Sequence, residues 1–185
     1  MKKKILKVGV MGAAGNALSE TDIPKLEDLA ERLGRALASR GLLTLTGATT
    51  GLPNMVSRAA RTHGGLTVGI SPASNEKEHA EKFCLPTDGV DAIIYTGFGL
   101  KGRNVVNIRS SDIVIIFGGG MGTLNEFTIA YDEGKVIGIL TGSGGVADHI
   151  TEIIDFASKP TPSVVIYKSE PEKLIDACIK ALKNL

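Results

Sequence analysis

The stretch that decides the fold runs Gly102-Arg103-Asn104-Val105-Val106-Asn107-Ile108-Arg109-Ser110-Ser111-Asp112-Ile113-Val114-Ile115-Ile116-Phe117-Gly118-Gly119-Gly120-Met121-Gly122-Thr123-Leu124-Asn125-Glu126. Ile113–Phe117 is an unbroken apolar run with no alternation. A strand reads this way when its sheet is covered on both faces, and such sheets are parallel. Segments of helical length stand on either side, Arg103–Ser110 and Thr123–Glu133, and a glycine turn joins the strand to the second of them. The unit is strand, turn and helix, with a helix leading in.

The same grammar extends in both directions. Further strands are expected at Ile5–Met11, Leu42–Thr46, Leu66–Ile70, Ala92–Tyr95, Val136–Leu140 and Val164–Tyr167. Helices are expected from Pro24 to Gly41, with Leu26, Leu29, Ala30, Leu33 and Leu37 on one face, and over Pro53–Thr62, Val146–Phe156 and Pro171–Lys183. Ser169 and Glu172 around Pro171 have the spacing of a capping box. Ser71–Asp91 breaks the alternation with Pro72, Pro86 and the run Glu76-Lys77-Glu78-His79. It reads as a long surface loop, with a lid over a site as the second possibility. The expectation is an α/β fold: a single doubly wound Rossmann-like domain over residues 1–185, with a mostly parallel sheet of about seven strands.

Composition narrows the function. Lys and Arg number 21 against 20 Asp and Glu, a balance that argues against a nucleic-acid partner held by phosphate neutralisation. No apolar run reaches the roughly 18 residues of a membrane span, and the basic start Met1-Lys2-Lys3-Lys4 lacks a cleavage site, so no membrane partner and no secretion are expected. Cys84 and Cys178 are far apart, which suits a reducing, cytoplasmic setting. His63, His79 and His149 stand alone, so no metal site is expected.

Gly is the departure from the ordinary, 23 of 185 residues. Five strands are followed by glycine loops: Gly12-Ala13-Ala14-Gly15, Gly47-Ala48-Thr49-Thr50-Gly51, Gly97-Phe98-Gly99-Leu100-Lys101-Gly102, Gly118-Gly119-Gly120-Met121-Gly122 and Gly142-Ser143-Gly144-Gly145. In a parallel sheet these loops share the carboxyl edge, where ligands bind. Small residues let backbone approach a ligand, and the helix starts that follow attract anions, so a phosphorylated ligand is expected. Tight turn geometry alone is the other reason for glycine there. No G-x-x-x-x-G-K-[ST] occurs, which excludes a Walker ATPase. Gly97–Gly102 matches G-x-G-x-x-G, but the next strand ends at Phe117-Gly118 without the ribose-binding acid, so NAD is disfavoured and no cofactor is expected.

Gly102-Arg103-Asn104 and Gly118-Gly119-Gly120-Met121-Gly122-Thr123-Leu124-Asn125-Glu126 resemble the LONELY GUY family, whose signature is P-G-G-x-G-T-x-x-E behind an M-H-x-R-K helix. Gly47–Leu52 is similar to its G-G-x-x-G-L loop. The resemblance covers the first strand through Leu140 and implies a Rossmann-like fold, a nucleoside monophosphate ligand, hydrolysis between base and ribose 5'-phosphate, and a homo-oligomer. Gly118 stands for the motif proline, Asn104 for the lysine, and Gly99–Gly102 lacks the Met-His pair. In these respects the chain resembles a sister group, the molybdenum cofactor carrier proteins, with T-G-x-G-x-x-R-N and G-G-G-x-G-T-x-x-E. That likeness implies a non-catalytic carrier of a pterin phosphate, and the alternative to a hydrolase is a non-catalytic carrier or sensor of a nucleotide or molybdopterin-type cofactor.

Candidate catalytic residues are therefore Arg103 and Glu126, and candidate phosphate contacts are Gly12, Gly47, Gly51, Gly102, Asn104, Gly119, Gly120, Gly122 and Thr123. A carboxylate near the anomeric carbon stabilises the positive charge that develops as an N-ribosidic bond breaks, or activates water. Thr123-Leu124-Asn125-Glu126 is also a capping-box pattern, in which Glu126 would serve only its own helix. Arg103 would bind phosphate or sugar oxygens as a permanent cation. Arg109 lies about 600° of helical rotation further on and is expected to pair with Asp112 or a partner subunit. Ser143 reads as a phosphate contact or a turn residue, and Cys84 and Cys178 read as structural.

Overall fold

Seven strands form one sheet in the computed structural model, which describes residues 5–15 and 23–185. They are β1 (Lys7–Gly12), β2 (Leu43–Thr46), β3 (Leu66–Ser71), β4 (Ala92–Tyr95), β5 (Ile113–Phe117), β6 (Val136–Leu140) and β7 (Val164–Lys168). Their order is β4-β3-β2-β1-β5-β6-β7, and every neighbouring pair is parallel, so the sheet is wholly rather than mostly parallel. The helices are α1 (Ile23–Ser39), α2 (Leu52–Thr62), α3 (Gly99–Ser110), α4 (Met121–Asp132), α5 (Ile150–Ala157) and α6 (Pro171–Lys183).

β5 shows why the apolar run was informative. All of its side chains are fully buried, and alternate ones enter two cores. Ile113, Ile115 and Phe117 pack with Leu33 and Leu37 of α1, Val56 of α2 and Leu174 of α6, while Val114 and Ile116 meet Ile108 of α3, Phe127 of α4 and Ile150 of α5. Truncating a side chain such as Ile115 to Ala would cost about 2–5 kcal/mol through lost transfer energy and the cavity left behind. Arg32–Glu172 at 2.8 Å and Arg40–Asp176 at 2.7 Å tie α1 to α6, and these partners hold both carboxyls below the usual carboxylate range.

Some local expectations need correction. Glu172 answers Arg32 and caps nothing: α6 begins after an extended Glu170, with no side-chain cap from Ser169. The helix expected over Val146–Phe156 is a 3-10 turn at Gly145–His149 followed by α5. Arg109 pairs with Glu133 at 2.7 Å, whereas Asp112 holds Lys7. The basic start, residues 1–4, lies outside the described residues. Among the described residues no helix is long and apolar enough to cross a membrane.

Ser71–Asp91 is more ordered than a plain loop. It contains one π-helical turn, Glu78–Lys82, and is anchored by the fully buried His79. His79 Nε2 donates to the Pro86 carbonyl at 3.0 Å, and Nδ1 lies 2.8 Å from Ser71 Oγ.

Candidate functional site

Strand order reverses between β1 and β5, which pair directly, with Gly12 opposite Phe117. The chains leaving these strands turn to opposite faces and open a crevice at the carboxyl edge. A cavity of about 490 Å³ occupies it. Gly12, Ala13 and Ala14 come from the end of β1, Thr49 and Thr50 from the loop after β2, and Leu100, Lys101, Arg103 and Asn104 from α3. Gly120, Met121, Gly122, Thr123 and Glu126 come from the start of α4, and Phe83, Cys84 and Leu85 close one wall.

The turn into α4 depends on glycine. Gly118 and Gly119 have φ of 61° and 93°, a left-handed pair that side chains resist, and a Cβ on Gly119 would fall 2.2 Å from Thr123 Oγ1. Gly120 is the residue before the helix, and a Cβ there would meet open space. No side chain caps α4 and no acid stands in its first turn, so its first amides face the cavity as unclaimed donors. α3 likewise has no acid in its first turn and no side-chain cap, but its first amide, at Gly99, donates to the Pro72 carbonyl at 3.0 Å.

Arg103 and Glu126 meet inside this frame. Arg103 Nη1 donates to Glu126 Oε1 at 2.8 Å, and both side chains are 8% exposed. Glu126 is therefore not a helix cap: α4 starts at Met121, which puts Glu126 in its second turn, facing α3. Burial pushes the Glu126 carboxyl above its ordinary value, against the pull of the Arg103 charge and hydrogen bond and the nearby Lys101. Arg103 Nε is buried with no partner among the described residues. Asn104 donates to Asn125 Oδ1 at 2.7 Å and ties the two helices beside the pair.

Of the sequence candidates, Arg103, Asn104, Gly12, Gly120, Gly122, Thr123 and Glu126 reach the cavity wall. Gly47, Gly51, Gly102 and Gly119 do not. Gly47 instead leaves room for Arg103, and Gly51, at φ 79°, brings the β2 loop against Ala13. Gly102 lies within the first turns of α3, packed near Phe98, because that helix begins at Gly99 rather than Arg103. Ser143 is a turn residue: its hydroxyl donates to the Leu140 carbonyl and accepts from the Gly118 amide at 2.9 Å. Cys178 is buried and its thiol is pushed up to about 12 by burial, but Cys84 is exposed and not a packing residue.

Sequence reasoning missed Lys101, Thr49, Thr50 and the wall Phe83–Leu85. The segment's break in pattern was visible, but nothing in it told where its ends would be pinned. Among the described residues no group of three or more His, Cys, Asp or Glu could hold a metal.

The model of the SLOG cluster4 family matches residues 5–175. A protein of Archaeoglobus fulgidus is 34% identical over 137 residues, 74% of this chain and 81% of its own. A cytokinin riboside 5'-monophosphate phosphoribohydrolase of Mycobacterium marinum is 29% identical over 84% of this chain and 86% of its own. The solved molybdenum cofactor binding protein of Rippkaea orientalis superposes with a TM-score of 0.74 and 30% identity over 97% of this chain and 98% of its own.

Proposed function

The chain belongs to the SLOG cluster4 family, and from that premise we propose that it hydrolyses the bond between base and ribose 5'-phosphate in nucleoside 5'-monophosphates. The observation that carries this reading is the Arg103–Glu126 pair, buried on the wall of a cavity framed by two helix amino termini. Phosphate sits over Gly120, Gly122 and Thr123, where helix amides and the dipole favour an anion. The sugar then lies within reach of α4's second turn. As the N-ribosidic bond lengthens, positive charge grows on the ring and the Glu126 carboxylate opposes it. Glu126 also takes a proton from the attacking water, whose oxygen joins the anomeric carbon while the base departs with the bond's electrons and a proton from solvent. A positioned base of this kind contributes about 10²–10⁴-fold. Arg103 fixes the carboxylate and favours its charged form against the opposing effect of burial.

A specific observation favours a second reading, a carrier of a phosphorylated pterin. The likeness to the molybdenum cofactor binding protein spans nearly all of both chains, and Gly118 and Asn104 depart from the hydrolase signature. Both readings place a phosphorylated small molecule in the same cavity. A homo-oligomer accompanies either one, supported by Phe98, Leu100 and Met121, which are 66%, 52% and 77% exposed beside the site. Incubation with a panel of nucleoside 5'-monophosphates and the matching nucleosides, followed by chromatography, decides between them. The hydrolase releases free base from monophosphates only; a carrier binds and releases none.

A further inference from the structure

Charge is not balanced in the cavity. Among the described residues Glu126 is the one acid on its wall, and Arg103 already engages it at 2.8 Å. Lys101 is the other cation, exposed, with no ion pair or hydrogen bond among the described residues. A helix start is an unfavourable place for a cation, yet Lys101 stands in the first turn of α3 with no acid near it in sequence. Its ammonium reaches across to α4: a Cβ on Gly122 would lie 3.5 Å from Lys101 Nζ. Arg103, the neighbouring cation, is buried and held by Glu126, which leaves Lys101 as the exposed one. The amino terminus of α4 and the exposed Lys101 ammonium thus meet beside Gly122 on the cavity wall.

We infer that Lys101 is the cation that binds the ligand's phosphate. This rests on the proposed phosphate ligand and names the residue that meets it. A monoester presents nearly two negative charges at neutral pH, matching Lys101 and the amino terminus of α4 once Glu126 has claimed Arg103. Lysine suits the role as a flexible point charge that can follow the phosphate.

The probes are ribose 5-phosphate, ribose and inorganic phosphate, which leave the base out of the question, with affinities measured by calorimetry. Wild type binds ribose 5-phosphate and inorganic phosphate and discriminates against ribose. Lys101→Gln and Lys101→Met weaken both phosphates about tenfold or more, the usual effect of losing a charge-assisted contact, and leave ribose unchanged. Lys101→Arg restores most of the loss. Since Lys101 is exposed, thermal unfolding of all three variants matches wild type. Equal affinity of wild type and Lys101→Gln for ribose 5-phosphate overturns the role of Lys101 while leaving the cavity as the ligand site. Failure of wild type to bind either phosphate overturns the phosphate reading itself.

Discussion

The guanidinium of Arg103 occupies the space that a side chain at residue 47 would need: a Cβ on Gly47 would fall 2.3 Å from Arg103 Nη2 and 2.4 Å from Cζ. The end of β2 and the start of α3 are thus fitted to each other through one missing methyl group. Gly47→Ala displaces the guanidinium and loosens its bond to Glu126. Because Gly47 lies outside the left-handed region, alanine does not strain the backbone. The expected outcome is a fall in base release of about a hundredfold, the usual result of an ångström of misplacement. Circular dichroism should stay native. Turnover at the wild-type rate would show that Arg103 need not be held there.

Removing Arg103 leaves Glu126 buried without its partner, which costs about 3–5 kcal/mol. The sign of the pH dependence follows from the raised carboxyl. A group whose folded value lies above its unfolded one favours the fold below the unfolded value, and loses that contribution as pH rises through the folded value. Arg103→Ala raises Glu126 further, so its stability deficit against wild type should grow as pH rises above the ordinary carboxylate range. Denaturant titrations at several pH values measure it. Glu126→Gln added to Arg103→Ala should flatten the dependence; a pH-independent deficit would contradict the buried charge.

Cys84 lines the cavity and is exposed, while Cys178 is buried with its thiol pushed up to about 12. Native protein should therefore react with iodoacetamide at Cys84 alone. A saturating monophosphate or pterin phosphate should slow that reaction at least tenfold by covering the thiol, as read by mass spectrometry. An unchanged rate with ligand demonstrably bound would place the ligand elsewhere.

The parallel sheet was legible because burial on both faces writes itself into Ile113–Phe117 as an unbroken apolar run. The position of the cavity was legible for a related reason: glycine loops after successive parallel strands must share one edge. The roles of individual glycines were not. Gly47 and Gly120 look alike in sequence, yet one makes room for Arg103 and the other faces open space. Only the packing of α3 against β2 separates them. Glu126 was ambiguous because Thr123-x-x-Glu126 fits a cap equally well, and the ambiguity ends with α4 starting two residues before Thr123, at Met121. Lys101 was hidden by the boundary of α3, which begins at Gly99, so a residue read as loop became part of a first helical turn facing α4. The wall at Phe83–Leu85 depends on the buried contact between His79 and Ser71, which no spacing announces.

Glu126→Gln tests the account most directly, with turnover and affinity measured on one sample for the monophosphate that wild type hydrolyses best. The amide oxygen can still accept from Arg103, so the cavity keeps its shape, but the carboxylate proposed to meet the transition state is gone. The account predicts that kcat falls by about 10²-fold or more while Kd stays within about threefold of wild type. Base release by Glu126→Gln at the wild-type rate, with binding intact, would contradict it.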